Sequence, residues 1–418
     1  MKKKFIYSSL SLIITCLFWP LSSFGGGWEQ ILVFPNTYAH FITSCGTHLA
    51  SDYSDERDGG IIRLADGDTG WKICGVEDYW FNKFYETEDY IFAVGSGCRI
   101  AGSNDDGLTW TLLDYSSAIS QYIPKNDIEG MACYAITELD GIIYIGDFAT
   151  GIVLQSSDYG DTWELTDMES LQLNLNFLDK VYNLATYDGK IYSFGIYSVH
   201  TFDPTEGKWH ELDINSNFMA VSTQLNGFLV CGRSLPDDSF SSPFLLYTDG
   251  NTWNAINRPD TYDNNVRALY SDNGVLYVAN SGGPLWCTQD FGENWTRIDG
   301  LPDYLYPLTL TTDENYLYTA LYSPIYSEYN SGVWRISKEE LGISGITIPK
   351  SESNEIIVTQ KALVSGRVME SVHIYDMAGR AVADYKNVSM VSLETLPHGE
   401  YIYTVVIEGK PISGKIAL

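Results

Sequence analysis

The side chains best suited to binding chemistry are tyrosines and acidic residues in the loops between predicted strands. The loops THLASDYSDERDGG (Thr47 to Gly60) and YSPIYSEYNSG (Tyr322 to Gly332) are rich in both types. A tyrosine ring can stack on a sugar or anchor a protein partner, and carboxylates accept hydrogen bonds from hydroxyl groups. Most of the 30 tyrosines are expected to fill strands and rims, which is the alternative for each candidate. The candidate ligand-binding tyrosines are Tyr53, Tyr304, Tyr322, Tyr326 and Tyr329.

Basic residues that could hold an anion are few. Arg233 and Arg267 are the best-placed candidates, whereas other arginines fall in predicted outer strands, where a solvated charge is expected. The six histidines show no metal-ligand spacing, and the chain has no Cys-x-x-Cys, nucleophile elbow or phosphate loop. Acidic clusters such as DYSDERD lack the spacing of known calcium loops. The sequence therefore predicts no cofactor and assigns no metal site.

An eight-residue pattern, [S/T]-x-D-x-G-x-x-W, recurs along the chain and indicates an internal repeat. It reads SNDDGLTW from Ser103, SSDYGDTW from Ser156 and TQDFGENW from Thr288. The hydroxyl and carboxylate can bond backbone N–H groups of a turn, and the glycine accepts a positive φ. The predicted structural residues of these repeated turns are Ser103, Asp105, Gly107, Trp110, Ser156, Asp158, Gly160, Trp163, Thr288, Asp290, Gly292 and Trp295.

Tryptophans mark the period of the repeat. They stand at positions 28, 71, 110, 163, 209, 253 and 295, each opening a predicted outer strand. Gaps of about 40 to 50 residues match one four-stranded propeller blade. The last period lacks an outer strand, and the strand that begins at Trp28 can supply it. The sequence thus predicts an all-β chain with a seven-bladed β-propeller closed by its N-terminal strand.

The repeated turn resembles the Asp-box, or BNR repeat, of sialidase-like β-propellers. In that family the box is a hairpin at the blade periphery, so the resemblance implies scaffold rather than catalysis. Sialidases also use three arginines and an Arg-Ile-Pro motif, and this chain lacks that motif. We therefore expect a binding platform for a glycan or a protein. The alternative is a sialidase-like glycoside hydrolase or a lyase, because the 54 acidic residues could include an unrecognised catalytic pair.

The two ends of the chain carry export signals. Residues 1–26 combine a basic start, an apolar core and a small-residue stretch, as a signal peptide does. A propeller over 27–340 and a linker over 341–355 lead to a small β unit over 356–418. That unit resembles the type A C-terminal sorting domain of the type IX (Por) secretion system of Bacteroidetes, an Ig-like β-sandwich. The residues that carry this resemblance are Tyr375, Gly379, Arg380, Leu396, Gly399, Tyr401 and Lys415.

The sorting domain implies passage through the periplasm, contact with the type IX machinery, and release or retention on the outer-membrane surface. After signal removal no apolar run is long enough to span a bilayer. The net charge of −29 argues against nucleic acid or anionic lipid as a partner. Six cysteines follow the predicted signal peptide, and the sequence leaves open whether they are buried thiols or disulfides.

Overall fold

The structure is a computed structural model of the 418-residue chain. The residues it describes are 27–33, 37–52, 60–77, 79–95, 97–120, 132–148, 150–166, 180–195, 198–214, 219–233, 245–259, 266–280, 284–301, 305–322, 331–341, 356–358, 362–377, 379–393, 396–407 and 409–417. In this part of the chain the regular structure is β, apart from one short helix, α1 (Ser116–Ile119). The prediction of an all-β chain is confirmed.

Seven four-stranded antiparallel sheets contain the described strands up to residue 337. The first strand is β1 (Glu29–Val33). Sheet 1 contains β2 (Thr37–Ile42), β3 (His48–Asp52), β4 (Gly60–Leu64) and β5 (Lys72–Ile73). Sheet 2 contains β6 (Phe81–Glu86), β7 (Ile91–Gly95), β8 (Arg99–Ser103) and β9 (Thr111–Asp114). Sheet 3 contains β10 (Cys133–Leu139), β11 (Ile142–Asp147), β12 (Val153–Ser156) and β13 (Glu164–Leu165).

The remaining four sheets of this region follow the same plan. Sheet 4 contains β14 (Asn183–Tyr187), β15 (Lys190–Phe194), β16 (Val199–Asp203) and β17 (Lys208–Leu212). Sheet 5 contains β18 (Met219–Leu225), β19 (Phe228–Arg233), β20 (Leu245–Thr248) and β21 (Trp253–Ile256). Sheet 6 contains β22 (Val266–Asp272), β23 (Val275–Asn280), β24 (Leu285–Thr288) and β25 (Thr296–Ile298). Sheet 7 contains β26 (Tyr306–Thr312), β27 (Tyr316–Tyr322) and β28 (Gly332–Ser337), joined by β1.

The first strands of the seven sheets form a closed ring. Each first strand contacts the first strand of the next sheet, and that of sheet 7 returns to that of sheet 1. The contacting pairs are β2–β6, β6–β10, β10–β14, β14–β18, β18–β22, β22–β26 and β26–β2. We call these seven strands the inner strands. The first strands of seven separate sheets therefore surround one central space.

Burial follows position within each sheet. The second strands are buried on both faces because neighbouring sheets cover them, as in β7 (IFAVG) and β23 (VLYVAN). The fourth strand can be very short and exposed, as in β5. Short outer strands leave few unpaired backbone groups at the edge of a sheet, which limits edge-to-edge association. Apolar clusters fill the space between sheets. Tyr144 and Val153 of sheet 3, for example, pack against Ile191 and Phe202 of sheet 4.

The repeated turns connect the third and fourth strands of sheets 2, 3 and 6. In sheet 2, the Ser103 hydroxyl accepts a hydrogen bond from Gly107 N (3.0 Å), and Asp105 Oδ1 accepts one from Thr109 N (2.9 Å). The Trp110 indole donates to Gly107 O (3.0 Å). The hydroxyl and aspartate bonds recur in sheet 3, with Ser156, and in sheet 6, with Thr288. One hydroxyl and one carboxylate therefore fix the backbone of each turn.

The glycine of each repeated turn also touches the preceding sheet. Gly107 has φ +75°, and a Cβ added there would lie 2.6 Å from Leu49 Cδ2 of sheet 1. The corresponding distances are 2.8 Å from Gly160 to Leu113 and 2.5 Å from Gly292 to Ile256. Glycine is thus required for two reasons: the backbone is left-handed, and a side chain of the preceding sheet leaves no room for a Cβ atom. The turn holds neighbouring sheets together as well as joining two strands.

Strand β1 completes sheet 7 by pairing with β28, with Glu29 opposite Arg335. The Arg335 guanidinium donates to Glu29 Oε2 at 2.8 and 2.9 Å. The fully buried Trp28 anchors the strand, and its indole donates to Asp299 O of sheet 6 at 3.0 Å. The two ends of this region are therefore joined by backbone pairing, an ion pair and a buried ring.

The C-terminal unit has two sheets and a core of its own. Its strands are β29 (Ile356–Val358), β30 (Ala362–Met369), β31 (Ser371–Asp376), β32 (Ala381–Tyr385), β33 (Val388–Ser392), β34 (Glu400–Ile407) and β35 (Lys410–Ala417). The sheet orders are β29–β30–β33 and β32–β31–β34–β35. Leu363 and Val391 of the first sheet pack with Ile374 and Val405 of the second.

Two further findings concern membrane spans and cysteines. No described helix is long and apolar enough to cross a membrane. The six described cysteines are thiols rather than halves of disulfides, and Cys98, Cys133, Cys231 and Cys287 are buried. Small buried thiols pack as apolar side chains. For these four positions the structure agrees with the buried-thiol alternative.

Candidate binding site at the mouth of the central cavity

A cavity of about 400 Å³ lies inside the ring of inner strands. All seven sheets contribute to its wall through their first strands or the residue just before them. The polar side chains on the wall include Lys83, Asn183, Ser222 and Arg267. None of the described residues that line the cavity is an aspartate or a glutamate. The cavity wall therefore differs in charge from the acidic chain as a whole.

Bulges shape the entrance to this cavity. Six of the seven inner strands shift register against their second strand within the first three residues, and β14 pairs without a shift. A bulge adds one residue, bends the strand and re-aims a side chain. The residues at these shifts are Tyr38, Asn82, Tyr134, Ala220, Arg267 and Leu308. Four of them, Asn82, Tyr134, Arg267 and Leu308, line the cavity.

Six aromatic side chains form a continuous row at the cavity mouth, which we call the aromatic arc. Its members in order are Tyr322, Tyr38, Trp80, Tyr134, Phe148 and Tyr182. Successive ring centroids are 5.7, 5.7, 6.4, 4.7 and 4.8 Å apart. The rings come from sheets 7, 1, 2, 3 and 4, and all six are half-buried. Contacts between rings hold the arc in place while part of each ring stays accessible.

The arc lies on the face where inner strands start and second strands end. Tyr38 and Tyr134 stand near the beginnings of inner strands, whereas Phe148 directly follows β11 and Tyr322 ends β27. The repeated turns join third to fourth strands and lie on the opposite face of the antiparallel sheets. The chain thus separates its two sets of aromatic residues, one at the mouth and one at the periphery.

Cationic side chains accompany the arc. Lys180 Nζ lies 4.5 Å from the centroid of the Phe148 ring. The Arg267 guanidinium lies 6.0 Å from that of Tyr306. Both cations are exposed to water, and the attraction to an aromatic ring keeps each of them near the mouth.

Lys83 is the deepest of the cations. Its side chain keeps a partial exposure, belongs to the cavity wall and is otherwise surrounded by protein. Burial lowers the pKa of Lys83 to about 8. Its ammonium group donates to Asn183 Oδ1 at 3.1 Å, and Asn183 Nδ2 donates to the Ser222 hydroxyl at 2.7 Å. The result is a polar row that crosses from sheet 2 to sheets 4 and 5.

The sequence-derived candidates fall in several places. Tyr53, Tyr304, Tyr326 and Tyr329 lie outside the described residues. Tyr322 is the first ring of the arc, and Arg267 lines the cavity. Arg233 ends β19 opposite Met219, and its side chain is not among those described. The structure brings Tyr322 and Arg267 to the same mouth and leaves the other five assignments as predictions.

Several residues of the mouth are absent from the sequence-derived candidates. Tyr38, Trp80, Tyr134, Tyr182 and Lys83 sit at or just before the starts of inner strands. Aromatic residues there are indistinguishable from ordinary strand formers in the sequence alone. The available signal was positional, since the repeat places these residues within a few positions of the starts of successive inner strands.

Comparisons with known proteins concern the fold. No family model matches the sequence, and no curated protein matches it. A solved structure of YCF48 bound to D1 peptide is similar over 76% of this chain and 99% of its own, with 14% identity and a TM-score of 0.53. The WD40 domain of Neurospora crassa Pan2 is similar over 76% of this chain and 98% of its own, with 11% identity and a TM-score of 0.51. The fold is a β-propeller.

Two further similar structures are extracellular domains of the B. thetaiotaomicron proteins BT3049 and BT4673. Their TM-scores are 0.52 and 0.51, with identities of 14% and 11%. They cover 92% and 95% of this chain, which in turn spans 56% and 59% of theirs. At these identities the likeness concerns the propeller fold alone, and the function must be argued from the site.

Proposed function

We propose that the chain is an exported binding platform whose glycan or protein ligand lies across the propeller mouth on the aromatic arc. The carrying observation is the unbroken row of six half-buried rings contributed by five neighbouring sheets. Each ring offers apolar area, and the tyrosine hydroxyls and the indole can hydrogen-bond to the ligand. An extended sugar chain or peptide has the shape to cover such a row.

The scaffold of this platform is, in our proposal, a seven-bladed Asp-box propeller closed by its N-terminal strand. Seven described sheets, the ring of inner strands and the pairing of β1 with β28 support it. The hydrogen bonds of the repeated turns support the Asp-box assignment. In this arrangement the boxes stabilise the periphery and leave the opposite mouth available for binding.

Export is proposed to use a signal peptide over 1–26 and a type IX sorting domain over 356–418, a β-sandwich. Within that unit Arg380 N and Nε donate to the Asp376 carboxylate at 2.9 and 2.8 Å, closing a turn at Gly379 (φ +77°). The Tyr401 hydroxyl donates to Pro397 O at 2.6 Å. Residues of the sorting signature thus shape one turn and one buried contact. The expected location is the outer-membrane surface or the medium.

A binding role is favoured over a hydrolase because the described cavity wall carries no carboxylate. Glycosidases need two carboxyl groups on either side of the scissile bond. The similar YCF48 structure is described as bound to a peptide, so a protein ligand deserves the same test as a sugar. Cleavage of a bound sugar would support the hydrolase instead.

The test is a screen of the full chain on glycan and peptide arrays, with mass spectrometry of each bound sugar after incubation. Binding of the hits is then compared for Trp80→Ala, Tyr134→Ala and the control Tyr159→Ala. Tyr159 is 40% exposed and lies in the repeated turn of sheet 3, away from the mouth. We expect each arc variant to weaken binding at least about tenfold, equivalent to about 1.4 kcal/mol.

The control variant should bind within about twofold of the unmodified chain. Equal losses in all three variants would mean general destabilisation. Retention of affinity in both arc variants would place the ligand elsewhere and overturn the proposal. A hit on glycans alone or on peptides alone decides the ligand class.

A further inference from the structure

Lys83 lacks a counter-charge among the described residues. Its ammonium group donates to the neutral amide of Asn183, at 3.1 Å, and no described lining residue is acidic. An ammonium group carries three N–H donors, so one bond to Asn183 leaves two for another acceptor. The chain has a net charge of −29, so a cavity lysine with no carboxylate beside it among the described residues departs from the average composition.

The surroundings of Lys83 also fix its direction. Asn183 is itself 3% exposed and is held from the other side by Ser222, so its carbonyl oxygen has one orientation towards the lysine. Arg267 adds a second positive charge on the cavity wall. The Oδ1 atom of Asn82, next to Lys83, is buried without a hydrogen-bond partner in the described part of the chain. The cavity wall therefore carries two cations, the largely enclosed Lys83 and the exposed Arg267.

A largely buried charge without a counter-charge costs free energy, and an anion that enters the cavity would recover part of it. We propose that the cavity binds the carboxylate group of a ligand through Lys83, with Arg267 as the second cation. The rest of that ligand lies on the aromatic arc, and for this placement the inference rests on the proposed function.

The donor set fits a carboxylate better than a phosphate. The ammonium group of a lysine is a compact single charge, which balances the single negative charge of a carboxylate. Phosphate sites typically add backbone N–H groups of a turn or helix start, or paired arginines. The described wall is made of inner strands rather than helix starts, and it contains one arginine.

The first test measures binding of benzoate to the full chain by calorimetry and ligand-detected NMR. Benzoate combines a carboxylate with a ring that can lie on the arc, and benzyl alcohol is its neutral counterpart. We expect benzoate to bind at least about tenfold more tightly than benzyl alcohol. Comparable affinities for both, or no saturable benzoate binding up to about 50 mM, would overturn the proposal.

Variants locate the site. Lys83→Met should weaken benzoate at least about tenfold, whereas Lys83→Arg should keep it within about threefold. Lys190→Met, which removes an exposed lysine paired with Asp203, should have no effect. Thermal unfolding of each variant shows that it is folded. Unchanged benzoate affinity in Lys83→Met would exclude this site, and stronger competition by inorganic phosphate would reassign it.

The outcomes separate this inference from the proposed function. An array ligand that needs Trp80 but binds Lys83→Met unchanged would keep the platform and remove the carboxylate site. Benzoate binding that depends on Lys83, without any hit on the arrays, would keep the carboxylate site and remove the platform. Both claims therefore have their own deciding measurement.

Discussion

The repeated turns at the periphery and the aromatic arc at the mouth use polar and aromatic residues in opposite ways. In the turns, the hydroxyl and the carboxylate bond to backbone N–H groups a few residues away, and glycine packs on the next sheet. At the mouth, rings touch rings of other sheets, Lys83 faces a neutral amide, and Asn82 has an unsatisfied oxygen. Satisfied local bonds build a scaffold, whereas unsatisfied groups around a cavity provide the means to bind.

The largest effect should come from filling the glycine contact of a repeated turn. Gly107→Ala is expected to lower the free energy of unfolding by about 2–4 kcal/mol, from backbone strain plus the clash with Leu49. The matched control is Gly141→Ala, which has a similar φ of +78° but nothing within 4 Å of the new Cβ. It should cost about 1 kcal/mol. Urea unfolding measures both, and equal losses would show that the contact with sheet 1 is unimportant.

A second comparison concerns two histidines between sheets 1 and 7. His40 Nε2 and His48 Nδ1 lie 3.1 Å apart, and burial lowers the pKa of both from the ordinary 6.5. Below that pH the unfolded chain binds protons that the folded chain does not, so stability falls as the pH decreases. The slope is at most about 1.4 kcal/mol per pH unit for each histidine.

His40→Gln should flatten the decline between pH 6.5 and the lowered folded-state value, as measured by urea unfolding at a series of pH values. The exposed His210, paired with Glu206, provides the control position His210→Gln. An unchanged slope in His40→Gln would contradict the assignment of acid sensitivity to this pair.

The smallest expected effect has the opposite sign. Lys83→Met should raise the free energy of unfolding by about 1 kcal/mol at neutral pH, because it removes a charge that has no counter-charge among the described residues. In the unmodified chain the pKa of Lys83 is about 8 when folded and 10.5 when unfolded. Stability should therefore rise with pH between these values, and this rise should vanish in the variant.

Loss of stability in Lys83→Met would mean that the lysine is a structural member of the wall. The mouth would then resemble the periphery, and the comparison between them would fail. A gain of stability would support the contrast between mouth and periphery, because binding sites commonly retain residues that lower the stability of the free protein.

The sequence predicted the repeating parts of the molecule better than the parts that differ between repeats. The spacing of the tryptophans and the residues of the repeated turns recur within short stretches of sequence. They can therefore be recognised without knowing which strands pair. The arc is assembled from five sheets, and bulges decide where Tyr38 and Tyr134 point. Lys83, within FNKF, reads as a solvated charge on an alternating strand until the ring places it against the cavity.

The pairing of β1 with β28 has a consequence for folding kinetics. It joins Glu29 to Arg335, so the last sheet cannot be completed until nearly the whole propeller sequence is present. Contacts between such distant residues form only after a long loop has closed, and the entropy lost in that closure slows the folding of β proteins. During synthesis from the N-terminus, β1 must stay unpaired until β28 has been made. Ring closure is then the step that converts a row of sheets into a single cooperative unit.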